Sequence, residues 1–187
     1  IGIYQVPQKQ GERWSAARAY LHPHIGQRAN LTVETHAQVR RILFEGRRAV
    51  GVEVLQNGTV RTLRARREVV LAAGALQTPQ LLMLSGVGPA QELARLGIQA
   101  VQHLPGVGRN LQDHPDFVFG YSARSLDTIG VSLGGGVRML GEILRYRRER
   151  RGMIATNFAE AGGFIKSRPD LAEPDLQLHF VVAMADN

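Results

Sequence analysis

Gly74-Ala75-Leu76-Gln77-Thr78-Pro79-Gln80-Leu81-Leu82-Met83-Leu84-Ser85-Gly86-Val87-Gly88 is the stretch whose reading decides the fold. It follows the apolar run Val69-Val70-Leu71-Ala72-Ala73, and the pattern predicts a strand that enters a small-residue turn and then a helix. Gly74 and Ala75 carry almost no side chain, which lets backbone N–H groups at the helix start approach an anionic or dinucleotide ligand. Thr78 suits a helix cap and Pro79 a first turn, so the helix is expected over residues 79–84. Ser85-Gly86-Val87-Gly88-Pro89 reads as the signal that ends it.

Upstream, residues 15–21 read as a short helix capped by Ser15 and stopped at Pro23. Residues 31–34 and 39–44 have strand character. Asn57-Gly58 is a type I′ hairpin signal between strands expected at 50–55 and 60–63, and Glu45-Gly46 marks another tight turn. The result is a meander of antiparallel strands that feeds the apolar run at 69–73. Downstream, residues 91–96 are expected to form a helix ending at Gly97, with a short extended segment at 98–103. Beyond Leu104 a strand is expected at 116–121 and an irregular glycine-rich stretch at 125–136. A helix at 137–151 and strands at 160–165 and 176–182 follow.

A chain of 187 residues can bury one substantial core or parts of two. Hydrophobic residues make up 44% and charged residues 21%, which is ordinary for a globular protein. With no cysteine there is no disulfide or thiolate metal site, a composition compatible with a reducing cytoplasm. No apolar stretch approaches the ~20 residues that a membrane-spanning helix needs. The formal charge of +7 resides largely in arginines at 61–67 and 145–151. The second cluster continues a helix whose apolar positions are Val137, Leu140, Ile143 and Leu144, so it reads as that helix's solvated C-terminal end, where cations complement the dipole. No nucleic-acid-binding pattern accompanies the charge, and no nucleic-acid partner is expected.

Together, the run from Gly74 to Pro89 and the segment Leu104-Pro105-Gly106-Val107-Gly108-Arg109-Asn110-Leu111-Gln112-Asp113-His114-Pro115 closely resemble two signatures of the glucose–methanol–choline (GMC) flavoprotein oxidoreductases. They stand in the family's order, and most of the chain aligns with it, from Gly11 to Phe164. The resemblance implies an α/β (mixed α+β) fold. Residues 1–103 would be part of an FAD-binding domain with an antiparallel meander, and residues 104–187 a linker and the first part of a substrate-binding domain. It implies FAD as cofactor, and a small-molecule alcohol (choline, or an aliphatic or aromatic alcohol) and an electron acceptor as partners. The expected reaction is hydride transfer from a primary alcohol to flavin, in the cytoplasm or, for the parent enzyme, peripherally on a membrane.

Two family elements are not found in the sequence: the G-x-G-x-x-G turn that holds the FAD pyrophosphate, and the segment bearing the catalytic histidine. The chain therefore reads as an internal portion of a larger enzyme. It is expected to be inactive alone, to carry no catalytic residue of its own, and to be prone to self-association through open sheet edges. A second reading is a non-catalytic binding or interaction module derived from the same fold.

The resemblance assigns cofactor contacts to Val39, Ala73, Gly74 and Ala75, the first through its backbone toward the adenine ring. From the residues alone, the turn at 73–75 is equally a close strand–helix packing turn, and Val39 a strand valine. Glu160, in Ala159-Glu160-Ala161-Gly162-Gly163-Phe164, corresponds to a glutamate that faces substrate in choline-oxidising members. It is otherwise a structural carboxylate in a salt bridge. Asn110, Asp113 and His114 lie in the segment that passes near the flavin. Asp113 reads as a loop hydrogen-bonder and His114 is not assigned as a base. His22-Pro23-His24 reads as a surface turn, and no metal is expected.

Overall fold

The computed structural model describes residues 2–3, 5–121 and 133–182. In chain order the elements are β1 (Gly2–Ile3), β2 (Gln8–Lys9), β3 (Glu12–Arg13), β4 (Ala37–Glu45), β5 (Arg48–Gln56), β6 (Thr59–Arg64), α1 (Gly74–Leu84), β7 (Val87–Gly88), α2 (Ala90–Arg95), β8 (Gln102–His103), α3 (Leu133–Glu149), β9 (Ala159–Ile165) and β10 (Leu176–Val181). They form two compact units. One is Thr32–Pro115; the other joins Ile1–Leu31 to Asp116–Asn187. The mixture of helices and antiparallel sheet is the expected fold class.

The first unit is built on the meander β4-β5-β6, antiparallel throughout. Its second turn follows the sequence signal: Asn57 and Gly58 adopt φ of 51° and 76°, the pair of left-handed conformations that a type I′ turn requires. A bulge shapes the first strand. Val39 lies opposite Val54 and Arg41 opposite Glu53, which leaves Arg40 as an extra residue. Strict alternation would send Val39 and Ile42 to opposite faces. The extra residue restores both to the face shared by Val52 and Val54. Arg40 and Arg41 then reach the one carboxylate of Glu53, at 3.7 and 2.9 Å.

Ile42, Val50, Val54, Val87 and Leu93 form the core, with Leu93 fully enclosed. Helix α1 packs against β4. Where they meet, the Ile42 N–H donates to Ser85 Oγ at 2.8 Å, and the Ser85 hydroxyl donates to the Leu81 carbonyl at 2.5 Å. The segment from Ser85 to Pro89 is buried at every residue. It does more than end the helix: β7 within it pairs in parallel with β8. Gly86 has φ 84°, and a Cβ there would meet the Gln99 carbonyl oxygen at 2.5 Å, so only glycine fits.

Helix α2 closes with Gly97 N–H to Ala94 O at 3.1 Å and Ile98 N–H to Leu93 O at 2.9 Å, a Schellman ending. At its start, the Ala90 N–H is taken up by His103 Nδ1 from β8 at 3.1 Å.

Several expectations are corrected. Helix α1 begins at Gly74, not Pro79, and Pro79 lies inside it. Thr78 is therefore a helical residue rather than a cap. Gly74 enters in a left-handed conformation, and the turn continues through Ala75-Leu76-Gln77, none of which disfavours a helix enough to delay it. Residues 69–73 are not paired as a strand, and Val70 is exposed. An apolar run becomes a strand only where a neighbouring backbone completes its ladder. Residues 31–34 likewise form no strand; side chains tie this stretch and its neighbour Thr35 down, Gln56 Nε2 donating to Thr35 O and Arg61 Nη2 to Glu34 Oε2. Residues 116–121 are exposed and unladdered, although the rings of Phe117 and Phe119 stack at 6.2 Å. The helix expected from Ser15 is a π-helical turn at Ala17–Leu21, and Pro23 sits in a 3₁₀ turn rather than stopping it. Most of the stretch at 125–136 lies outside the described residues; its last four residues belong to α3.

In the second unit β9 is flanked by β1 and β10, both antiparallel. Every described side chain of β10 is exposed. The loop between β9 and β10 is closed by Asp175, whose carboxylate accepts from Ser167 Oγ at 2.6 Å and from Ser167 N–H at 2.7 Å. These two bonds, the hydroxyl's first, hold the Asp175 carboxyl below its ordinary value of 3.8.

Two outcomes follow from these contacts. Ser85→Ala leaves a buried N–H without its acceptor and is expected to cost about 1–3 kcal/mol, measured by urea unfolding. Because the Asp175 pKa is lowered on folding, its contribution is present above 3.8 and disappears as pH falls through the lower folded value. The pH-dependent part of the stability difference between the native chain and Asp175→Ala should therefore begin to shrink as pH falls below 3.8 and be gone only below the folded value, as followed by thermal unfolding across pH.

Candidate functional site

Helix α1 starts without a side-chain cap and without an acidic residue in its first turn. Its leading N–H groups are the ones that no intrahelical carbonyl can serve. Gly74, at the entry, has φ 83° with nothing within 4 Å of where a Cβ would stand. The glycine is therefore required by backbone conformation, not by crowding. The left-handed residue turns the chain into the helix and leaves the space beside it open. Gly74 and Ala75 are exposed, and Ala73 is half-buried.

A groove of about 630 Å³ runs along α1. Ala75, Leu76, Pro79, Gln80 and Met83 form its helical wall; Leu96 and Ile98 form another side, and residues 108–112 close it. Its lining is largely apolar, with polar groups from Gln80, Arg109, Asn110 and Gln112. The Arg109 guanidinium is engaged by the Glu92 carboxylate. The two sequence signatures thus line one cavity, which neither signature reveals alone. Asn110, within this wall, holds a left-handed φ of 56°.

Of the residues singled out in the sequence, Ala75 and Asn110 meet in this groove. Gly74 and Ala73 precede it at the helix start. Val39 lies on β4, half-buried opposite Val54. Asp113 accepts from the His114 N–H at 2.8 Å, a local loop bond. His22 and His24 sit in the 3₁₀ turn with Pro23. Glu160 belongs to the other unit. Ala159 lies opposite Val181 and Ala161 opposite Phe180, so Glu160 is the extra residue of a bulge in β9. The apolar wall from Leu96 and Ile98 was not anticipated; their place after α2 carries no local signal of a cavity.

An apolar groove with a few polar groups lies beside an uncapped helix start, a kind of place where anionic or partly apolar ligands bind in other proteins. The chain belongs to the GMC oxidoreductase family, whose description matches residues 1–116. Over 183 residues it is 47% identical to the alcohol dehydrogenase [acceptor] of Pseudomonas putida, covering 97% of this chain and 33% of that protein. It is 46% identical over 184 residues to the mitochondrial choline dehydrogenase of Homo sapiens, covering 97% of this chain and 30% of that one. The chain thus spans about a third of the length of these relatives.

Among solved structures it resembles an FAD-dependent oxidoreductase from Chaetomium thermophilum, with a TM-score of 0.69 and 29% identity over 83% of this chain and 28% of that one. A formate oxidase matches with a TM-score of 0.76 and 26% identity over 93% of this chain and 34% of that one. The cofactor indicated by family and neighbours is FAD. Among the described residues, no helix is long and apolar enough to cross a membrane.

Gly74→Val is expected to destabilise the chain by about 1–2 kcal/mol through backbone strain alone, since the space around it is open. Gly86→Ala adds a clash to the same strain and should cost more. Paired urea titrations of the two variants check this order.

Proposed function

We propose that this chain is part of an FAD-dependent oxidoreductase that oxidises a primary alcohol, choline or an aliphatic or aromatic alcohol, and passes the electrons to a separate acceptor. The observation that carries the reading is the start of α1: a left-handed Gly74, an uncapped and acid-free first turn, and an apolar groove beside it. The names of the relatives support the substrate class. Residues 1–103 are assigned to the FAD-binding domain, and residues 104–187 to a linker and the first part of the substrate domain. The working location is cytoplasmic or peripheral to a membrane.

In this reading Ala73, Gly74 and Ala75 present backbone to the adenosine–diphosphate half of the cofactor, where the helix dipole favours negative charge. Val39 offers backbone to the adenine. FAD, when bound, supplies the hydride acceptor for the alcohol carbon. Glu160, at the β9 bulge, serves as a counter-charge for a cationic substrate; a neutral alcohol leaves that charge without a partner. The chain alone does not turn over alcohol, because its sequence carries neither the G-x-G-x-x-G turn nor an assigned proton acceptor.

Titrating FAD into the chain while following flavin fluorescence tests this. Saturable quenching, weakened at least tenfold by Gly74→Val, is expected, with no flavin bleaching on addition of alcohol. A folded chain that shows no saturable quenching would overturn the reading and favour a non-catalytic interaction module. In the full-length enzyme, Glu160→Gln should raise KM for choline about tenfold or more, equivalent to ~1.4 kcal/mol, and leave KM for a neutral alcohol within twofold.

A further inference from the structure

The connection from α3 to β9, residues 150–158, runs against ordinary backbone preference. Arg150, Gly152 and Phe158 hold φ of 56°, 94° and 70°. Glycine adopts such an angle freely, whereas a side chain as large as that of arginine or phenylalanine disfavours it. A residue held in this way persists only where its surroundings fix it.

Those surroundings come from the start of the chain. Gln8 Nε2 donates to the Ala155 carbonyl, within the 3₁₀ turn at Met153–Ala155. Gly11, in the turn between β2 and β3, lies so close to Arg150 that any Cβ would collide with the Arg150 carbonyl. Glu12 sends one carboxylate oxygen to Arg150 Nη1 at 3.3 Å and the other to Arg18 Nη2. The Arg150 guanidinium also lies 5.1 Å from the centre of the Tyr146 ring. Beyond the connection, β1 sets Gly2 opposite Gly162 and Ile3 opposite Ala161. The first residues of the chain thus grip this path on both sides of Glu160, at Arg150 and Ala155 before it and at Ala161 and Gly162 after it. A bulge residue has no partner of its own across the ladder, so its place is set by the backbone that flanks it.

We propose that Glu12, acting through Arg150, is a positioning residue for Glu160: it fixes how the connection enters β9 and so where the bulge stands. The inference rests on the reading of Glu160 as the counter-charge for a cationic substrate. Glu12 takes no part in the chemistry, since its carboxylate is committed to two guanidiniums. Releasing Arg150 loosens the entry to β9 and moves the Glu160 charge relative to a bound cation. A Coulomb attraction weakens with that separation, whereas a neutral alcohol has no such attraction to lose. The Glu12–Arg150 pair is half exposed on its arginine side, so the effect is a change of a few fold and not an abolition.

The experiment measures KM for choline and for a neutral primary alcohol in the full-length enzyme carrying Glu12→Gln, Arg150→Gln, Glu160→Gln or E12Q/E160Q. Glu12→Gln and Arg150→Gln should each raise KM for choline about fourfold and leave KM for the neutral alcohol within about twofold. The double variant should be no worse than Glu160→Gln alone, because both changes act on one interaction. Amide exchange of peptides spanning residues 150–162 should be faster in Glu12→Gln than in the native enzyme. If Glu160→Gln raises KM for choline and Glu12→Gln does not, this inference falls and the reading of Glu160 stands. If Glu160→Gln changes nothing, that reading fails and the role of Glu12 goes with it. Equal rises for both alcohols in Glu12→Gln, additive effects in the double variant, or unchanged exchange at 150–162 also overturn the inference. Should Glu12→Gln fail to fold, Arg150→Gln removes the same pair from its other side and decides by the same outcomes.

Discussion

One hydroxyl joins the two halves of the cofactor-side unit. Ser85 Oγ accepts the Ile42 N–H from the outer edge of β4 and returns its own proton to Leu81, one turn back in α1. A sheet edge and a helix end are both places where backbone groups lack partners, and here each supplies what the other needs. The contact requires Ile42 to arrive at a fixed position along β4. The Arg40 bulge sets that phase, and the Glu53 carboxylate between Arg40 and Arg41 holds the bulge. With α1 fixed at its C-terminal end, its first turn and the groove beside it have a defined place on the meander.

The parts legible in the sequence are those decided by local chemistry. Asn57-Gly58 set a hairpin because both residues tolerate positive φ, and Gly97 ended α2 in the expected way. The two GMC signatures identified the family before any geometry was known. What was not legible depends on contacts far apart in sequence. Thr78-Pro79 has the local chemistry of a helix start, yet α1 nucleates a turn earlier, on the left-handed Gly74. Residues 69–73 have every strand feature except a partner. The buried run at 85–89 looked like punctuation, and only its parallel pairing with Gln102–His103 shows that it is core. Bulges at Arg40 and Glu160 leave no mark in composition, because each is a difference of register between two strands.

The site itself was half legible. Small residues at 73–75 pointed to a close approach of backbone, but the structure ties Gly74 to dihedral angle rather than space. The apolar wall of the groove comes from Leu96 and Ile98, whose role emerges only when the turn after α2 folds back toward α1. The second unit poses a different physical problem. Strands β9 and β10 and one row of α3 leave large side chains in water, including Phe164, Phe180 and Leu140. Apolar surface of this extent marks a place where another surface packs.

The measurement that most directly probes the placement of the cofactor is amide hydrogen exchange of the chain with and without saturating FAD, read peptide by peptide. Slowed exchange at residues 73–80 and 108–112, with a smaller effect around Val39, is the predicted result. Unchanged exchange across those peptides, with protection confined to residues 133–182, would contradict the assignment of the α1 groove.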